Sequence, residues 1–137
     1  MSVRESIAAN IVSVLDGVSS IELVTREPFD IEELSQAQYP AVWIETASEE
    51  REDAAINQRS GAITYLITGF VTGSTIDTNR NQLIEDIEEE LELDRTRGGN
   101  ALNSYVSAVD TDKGVIHPIG GVEITLTAEY FYTTGST

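Results

Sequence analysis

Cysteine is absent from this 137-residue chain, which excludes disulfides and thiolate-bound metals and is compatible with folding in the cytosol. Histidine occurs once, at His117 in VIHPIGG. A catalytic imidazole needs a nucleophile and an orienting carboxylate nearby, and no nucleophile motif accompanies it. A histidine before a proline in a glycine-flanked turn reads as structural. Basic residues are scarce as well: eight Lys+Arg against 24 Asp+Glu leave a net charge of −16. Such a balance argues against binding phosphate backbones by counterion release and against anionic membrane surfaces. It favours solubility and basic partners. No apolar run reaches the length of a membrane helix, and MSVRESIAANIVSVLDG lacks the apolar core and cleavage site of a signal peptide.

What is present belongs to a folded protein. The content is 40% apolar and 23% charged, and the length suits one domain over residues 1–137 with a radius of gyration of about 14 Å. Ser2 and Glu5 predict a capping box, followed by an apolar stripe of Ile7, Ile11, Val14, Leu15 and Val18 at helical spacing. Gly17 and Ser19-Ser20 end it. IELVTR (21–26) alternates as a short strand. Residues 27–39, broken by Pro28 and polar residues, predict a loop.

PAVWIET, started by Tyr39-Pro40, predicts a buried strand. The charge-dense SEEREDAAINQRSG (48–61) reads as a long exposed loop or arm. AITYLITGFVT (62–72) is apolar on both faces and so predicts a central strand; Gly69 within it marks a bulge or a close approach. A helix over 77–92 follows, with Leu83, Ile84, Ile87 and Leu91 buried. Gly98-Gly99 occupies the place of a C-terminal cap. SYVSAVDTD (104–112) and GVEITLTAEYFY (121–132) predict two strands joined through Lys113-Gly114 and His117-Pro118. Val122, Ile124, Leu126, Ala128 and Tyr130 share one face of the last strand, with Glu123, Thr125, Thr127 and Glu129 on the other. The order α-β-β-β-α-β-β predicts an α+β fold, a largely antiparallel or mixed β-sheet with two α-helices packed on one face.

The most unusual segment is LIEDIEEELELD (83–94), with seven carboxylates and no cation. Glu85/Glu89, Asp86/Glu90 and Glu88/Glu92 are like-charge i,i+4 pairs, each costing about 0.2–0.5 kcal/mol. The acids also run into the last turn, where the helix dipole favours cations. At about 100° per residue, Glu85, Glu88, Glu89 and Glu92 share a surface opposite the apolar stripe. A di-metal carboxylate site requires Glu-x-x-His motifs aimed into a bundle core, and this helix has no histidine. The face therefore reads as solvated, or as the border of a subunit interface or an electronegative cavity, with Arg95 and Arg97 partly screening the helix end. DTDKG (110–114) fails as a calcium loop, because Val115 and Gly121 stand where Gly and Glu are needed. The glycine pairs GGN and PIGG match no phosphate-binding fingerprint. No cofactor or metal is expected.

The order of these features resembles the tail terminator (tail completion) proteins of long-tailed bacteriophages. The resemblance is carried by RESIAANIVSVLDGV leading into a strand, then YPAVWIE, a charged segment, AITYLITGFVT, NQLIEDIEEELELD, a Gly-Gly break and the closing pair VDTDKGVIHPIGGVEITLTAEY. It covers nearly the whole chain and includes no catalytic signature. It implies a non-enzymatic virion protein, assembled in the host cytoplasm, that forms a homo-hexameric ring at the head-proximal end of the tail tube. Such a ring stops tube polymerisation and offers a docking surface to head and neck proteins. Its partners are the tube protein and connector proteins, with no membrane and no specific nucleic-acid binding, although DNA passes through it. A negative wall suits that passage because it repels phosphates. The segments 27–39 and 48–61 suit ring-to-tube or ring-to-neck contacts, the last strand suits pairing across subunits at its edge, and Glu85, Glu88, Glu89 and Glu92 suit an interface or lumen face. Two other readings fit the residues: a neck or head–tail connector subunit, and, from a different class, a small acidic ligand- or metal-binding module. An acidic adaptor for a basic host protein fits the charge alone.

Overall fold

In the computed structural model, residues 2–55, 58–111 and 119–133 are described. The first helix, α1, spans Val3–Asp16. Ser2 caps it by accepting the Glu5 amide at 3.1 Å, while the Glu5 carboxylate turns aside to pair with Arg26. The predicted apolar stripe is buried at Ile7, Ile11 and Leu15, joined by Ala8, and half-buried at Val14 and Val18.

Five strands follow the predicted order: β1 (Leu23–Thr25), β2 (Ala41–Ala55), β3 (Gln58–Thr72), β4 (Asn103–Thr111) and β5 (Ile119–Thr133), with the second helix, α2 (Ile76–Glu92), between β3 and β4. They form one sheet in the order β1-β2-β3-β5-β4. β1 runs parallel to β2 and every other pairing is antiparallel. The sheet is therefore mixed. α1 packs on β1 and β2, α2 packs on β3, β5 and β4, and the helices touch each other. This is the α+β fold with both helices on one face.

β3 lies at the centre, as its two-sided apolar pattern predicts. Ile63, Tyr65, Ile67, Gly69 and Val71 are buried toward the helices. From β5, Val122, Ile124, Leu126, Ala128 and Tyr130 join the same core. Each fully buried aliphatic side chain in this layer contributes about 1.5–3 kcal/mol. Gly69 resolves as a close approach, not a bulge: the register runs unbroken through it, and a Cβ there would sit 2.8 Å from Leu83 Cδ2. The absence of a side chain lets α2 settle onto β3.

Four sequence expectations change. The segment 48–61 is strand over 48–55 and 58–61, not loop. Charge density misleads there because alternate residues face opposite ways: Glu50 and Glu52 are solvated, whereas Glu49 and Arg51 pair with each other on the helix side. The last strand is flanked by β3 along its length but by β4 only over Val122–Glu129, so an edge available for pairing across subunits is confined to its ends, chiefly Tyr130–Thr133. Among the described residues, β4, β1 and the 44–55 length of β2, which β1 does not reach, also have one side without a strand partner. The Gly98-Gly99 pair does not cap α2, which ends at Glu92 with Leu93 as its cap. Arg97, Gly98 and Gly99 instead share positive φ values of 51°, 71° and 88°, a left-handed run that turns the chain back toward β4. Finally, 27–39 is not wholly irregular. It holds short 3₁₀ turns at Ile31–Glu33 and Gln36–Gln38, and Phe29 anchors it by packing edge-on against Trp43 at 4.7 Å between ring centroids and against Phe70 at 5.9 Å. The turn segment containing Lys113-Gly114 and His117-Pro118 lies outside the described residues.

Candidate assembly surfaces

The acidic helix behaves as its periodicity dictates. Ile76, Arg80, Leu83, Ile87 and Leu91 are buried, and Glu85, Glu88, Glu89 and Glu92 are all exposed along the outer side. They line one shallow groove together with Asn81, Ile84 and Leu93. Ile84, expected in the buried stripe, is half-exposed at its margin. Leu93 is 79% exposed. The four carboxylates are thus brought together on one surface, but spread lengthwise along it. Among the described residues no group of three His, Asp or Glu is arranged to hold a metal ion.

The C-terminus of α2 carries no basic residue in its last turn, so its dipole and free carbonyls require an external cation. Arg97 supplies it. Its side chain is completely buried, and Nη2 donates to the Leu91 and Asp94 carbonyl oxygens. Burial lowers its pKa, partly offset by the Asp94 and Glu92 charges. Arg95 does the neighbouring work: Nε donates to the Ser104 carbonyl at 2.8 Å, and the Ser104 hydroxyl returns a bond to the Arg95 carbonyl at 2.9 Å. The two arginines screen the helix end as read from the sequence, Arg95 Nε lying 3.5 Å from Glu92 Oε2, and they are structural ties as well. Asp86 is another tie, accepting from Ser20 Oγ and Gln82 Nε2, each at 2.8 Å.

A second carboxylate centre, missed in the sequence, lies at the far end of the helix face. Glu49 keeps only 6% of its side chain exposed. It meets Arg51 Nε at 2.5 Å and Arg4 Nε at 3.2 Å, and accepts the Tyr130 hydroxyl at 2.7 Å. Burial opposes its charge, but hydrogen bonds from Arg51 and Tyr130 and the charges of Arg51 and Arg4 outweigh this and hold its pKa below the usual carboxylate value. Gly61 makes the space: a Cβ there would lie 2.9 Å from Tyr130 Cε1 and 3.0 Å from Glu49 Oε2. Beside it the Tyr65 hydroxyl donates to the Arg4 carbonyl at 2.9 Å, and burial raises the Tyr65 pKa. The only sequence signal was the i,i+2 spacing of Glu49 and Arg51, which meets on one face only in a strand. The cluster pins α1 to β2 and β5, and it is saturated with internal partners.

Among the described residues, Phe29 crosses the sheet face away from the helices, packing on Trp43 and Phe70. The register places Thr64, Thr68, Thr125 and Thr127 on this face with the exposed acids Glu45, Glu50, Glu52, Asp110, Glu123 and Glu129. Asp110 stands directly opposite Glu123, a like-charge pair that destabilises an isolated sheet. Both broad faces of the molecule, the α2 side and the open sheet side, are therefore acidic. No described helix is long and apolar enough to cross a membrane.

No protein-family model matches the chain, and no curated protein matches it. Among solved structures, a chain of "Virion of native gene transfer agent (GTA) particle" aligns over 96% of this chain and 92% of its own length, with 7% identity and a TM-score of 0.45. A likeness of that size decides neither fold nor function.

Proposed function

We propose that this protein is a non-enzymatic structural component of a phage-like virion, a tail terminator working as a hexameric ring at the head-proximal end of the tail tube. The observation that carries the reading is the order of features, from capped helix through proline-started and central strands to acidic helix and closing β-pair. Folded together, these make one α+β unit in which several charged side chains hold elements together. Glu49, Asp86, Arg95 and Arg97 all have structural partners. A ring of such units needs a heterologous interface that closes on itself, with one rim matching the tube and the other refusing a further tube subunit. Because both broad faces are acidic, whichever one surrounds the passage presents carboxylates to DNA and repels its phosphates. Head, neck and tube proteins are the partners in this reading.

Negative-stain microscopy of the purified protein, alone and mixed with tail tubes, tests it. Six-fold rings or capped tube ends are the expected result. A chain that stays single in light scattering at every concentration and also leaves tube ends bare overturns it. Rings that bind a head connector but never a tube would favour the neck-subunit reading instead.

A further inference from the structure

The groove along the outer side of α2 combines apolar and charged surface. Ile84, half-buried, and Leu93, 79% exposed, give it an apolar floor, and Glu85, Glu88, Glu89 and Glu92 line it with them. From residue 81 to residue 93 it follows the helix for about 18 Å. A single exposed leucine is ordinary on a protein surface. Here two aliphatic side chains share one concave strip with four carboxylates. Three of those carboxylates are uncommitted. Glu92 reaches Arg95 at 3.5 Å, whereas Glu85, Glu88 and Glu89 have no hydrogen bond or ion pair among the described residues. The carboxylates that hold the fold, Glu49 and Asp86, each have two or more donors.

Charge decides what can cover such a strip. A second copy of this chain is a poor occupant. Of its eight basic residues, Arg4, Arg26, Arg51, Arg80 and Arg95 are in ion pairs within the chain, and Arg97 is buried under the end of α2. The other two are Arg59 and Lys113, and a copy would bring them together with its own net charge of −16. Two bodies of that charge repel each other. Phosphate backbones and anionic membranes are repelled in the same way. A bare metal ion would leave Ile84 and Leu93 uncovered. The surface therefore calls for cations and apolar side chains supplied together by another protein. A strip that follows one helix suits a second helix laid along it, the usual occupant of an apolar groove.

We propose that this groove docks a cationic amphipathic helix of a different protein, with its apolar side chains on Ile84 and Leu93 and its Lys or Arg side chains on Glu85, Glu88, Glu89 and Glu92. Cations placed there also relieve the Glu85/Glu89 and Glu88/Glu92 repulsions. Docking of this kind needs one chain only and does not rest on the ring reading.

Two synthetic peptides of about 14 residues, long enough to span the groove as helices, provide the probe. Both have the same Leu and Lys composition. The leucines recur at helical spacing in one and are scrambled in the other. Binding is measured by titration calorimetry on the wild type, on Leu93→Ser and on the variant carrying Glu85→Gln, Glu88→Gln, Glu89→Gln and Glu92→Gln. A control carrying Glu50→Gln, Glu52→Gln, Glu123→Gln and Glu129→Gln removes equal charge from the open sheet face. The patterned peptide is expected to bind one to one. Leu93→Ser, with an unchanged melting temperature, and the α2 quadruple variant should each weaken it about tenfold or more, while the sheet-face control keeps most of the affinity. Equal binding of the scrambled peptide, or equal losses in the two quadruple variants, means diffuse charge attraction and overturns the proposal. Self-association in light scattering that Leu93→Ser abolishes assigns the groove to a second copy and overturns it as well. Rings or capped tubes with a groove indifferent to the patterned peptide sink the docking and leave the ring reading intact. Patterned binding by a chain that never forms rings does the reverse.

Discussion

The hydroxyl of Tyr130, on the last strand, donates to Glu49 Oε2 at 2.7 Å across a separation of 81 residues. This bond links β5 to β2 over the intervening β3, and with Arg4 it draws in the start of α1. A charged, buried acceptor makes the bond stronger than a neutral one.

Tyr130→Phe removes that donor while keeping the ring, and should cost about 1.5–3 kcal/mol in urea unfolding. Glu49→Gln adds a dependence on pH. The folded pKa of Glu49 is lowered from 4.5, so its contribution to stability is fully present above the unfolded value and is lost as pH falls through the lower folded one. Stability of the wild type minus that of Glu49→Gln should therefore be flat near neutrality and shrink below about pH 4.5. A difference that grows on acidification would contradict the assignment.

Arg97→Met keeps an unbranched apolar chain in the buried site but leaves the Leu91 and Asp94 carbonyls without the guanidinium. Two charge-assisted bonds are lost at a helix end with no other cation in its last turn. A loss of about 2–4 kcal/mol is expected. In hydrogen exchange, protection should fall first in the last turns of α2 and in the 95–104 segment tied to β4. Equal loss across the sheet would show that Arg97 serves the whole core instead.

Replacing Glu85, Glu88, Glu89 and Glu92 by Gln relieves the Glu85/Glu89 and Glu88/Glu92 repulsions on an exposed surface. Stability should rise by about 0.5–1 kcal/mol, and the gain should shrink in high salt as screening removes the repulsion in the wild type. If the variant is more stable yet no longer forms rings or caps tubes, the acidic face is an assembly contact. If rings persist, it is solvent-facing.

Local pattern and tertiary context contributed differently along the chain. Where one period governed a whole element, the sequence was readable: the Ile7–Ile11–Leu15 stripe, the Leu83–Ile87–Leu91 stripe and the alternation of Val122 to Tyr130 are all buried as spaced. The order of elements, and with it the α+β class, followed. The charged segment 48–61 was misread because solvation and pairing of its carboxylates depend on which neighbours the sheet supplies. The 27–39 segment gave no sign of the role of Phe29, because Trp43 and Phe70 reach it only after folding.

For this protein the sequence by itself determined the helix faces, the central place of β3 and the outward turn of the acids on α2, because side-chain direction follows from backbone period. Only the tertiary structure decided that β5 is interior and β4 is an edge, since strand order depends on long-range pairing that no local period encodes. It alone joined Glu49 to Tyr130 and buried Arg97 under the end of α2, because desolvated charges persist only where the folded chain supplies partners that offset the cost.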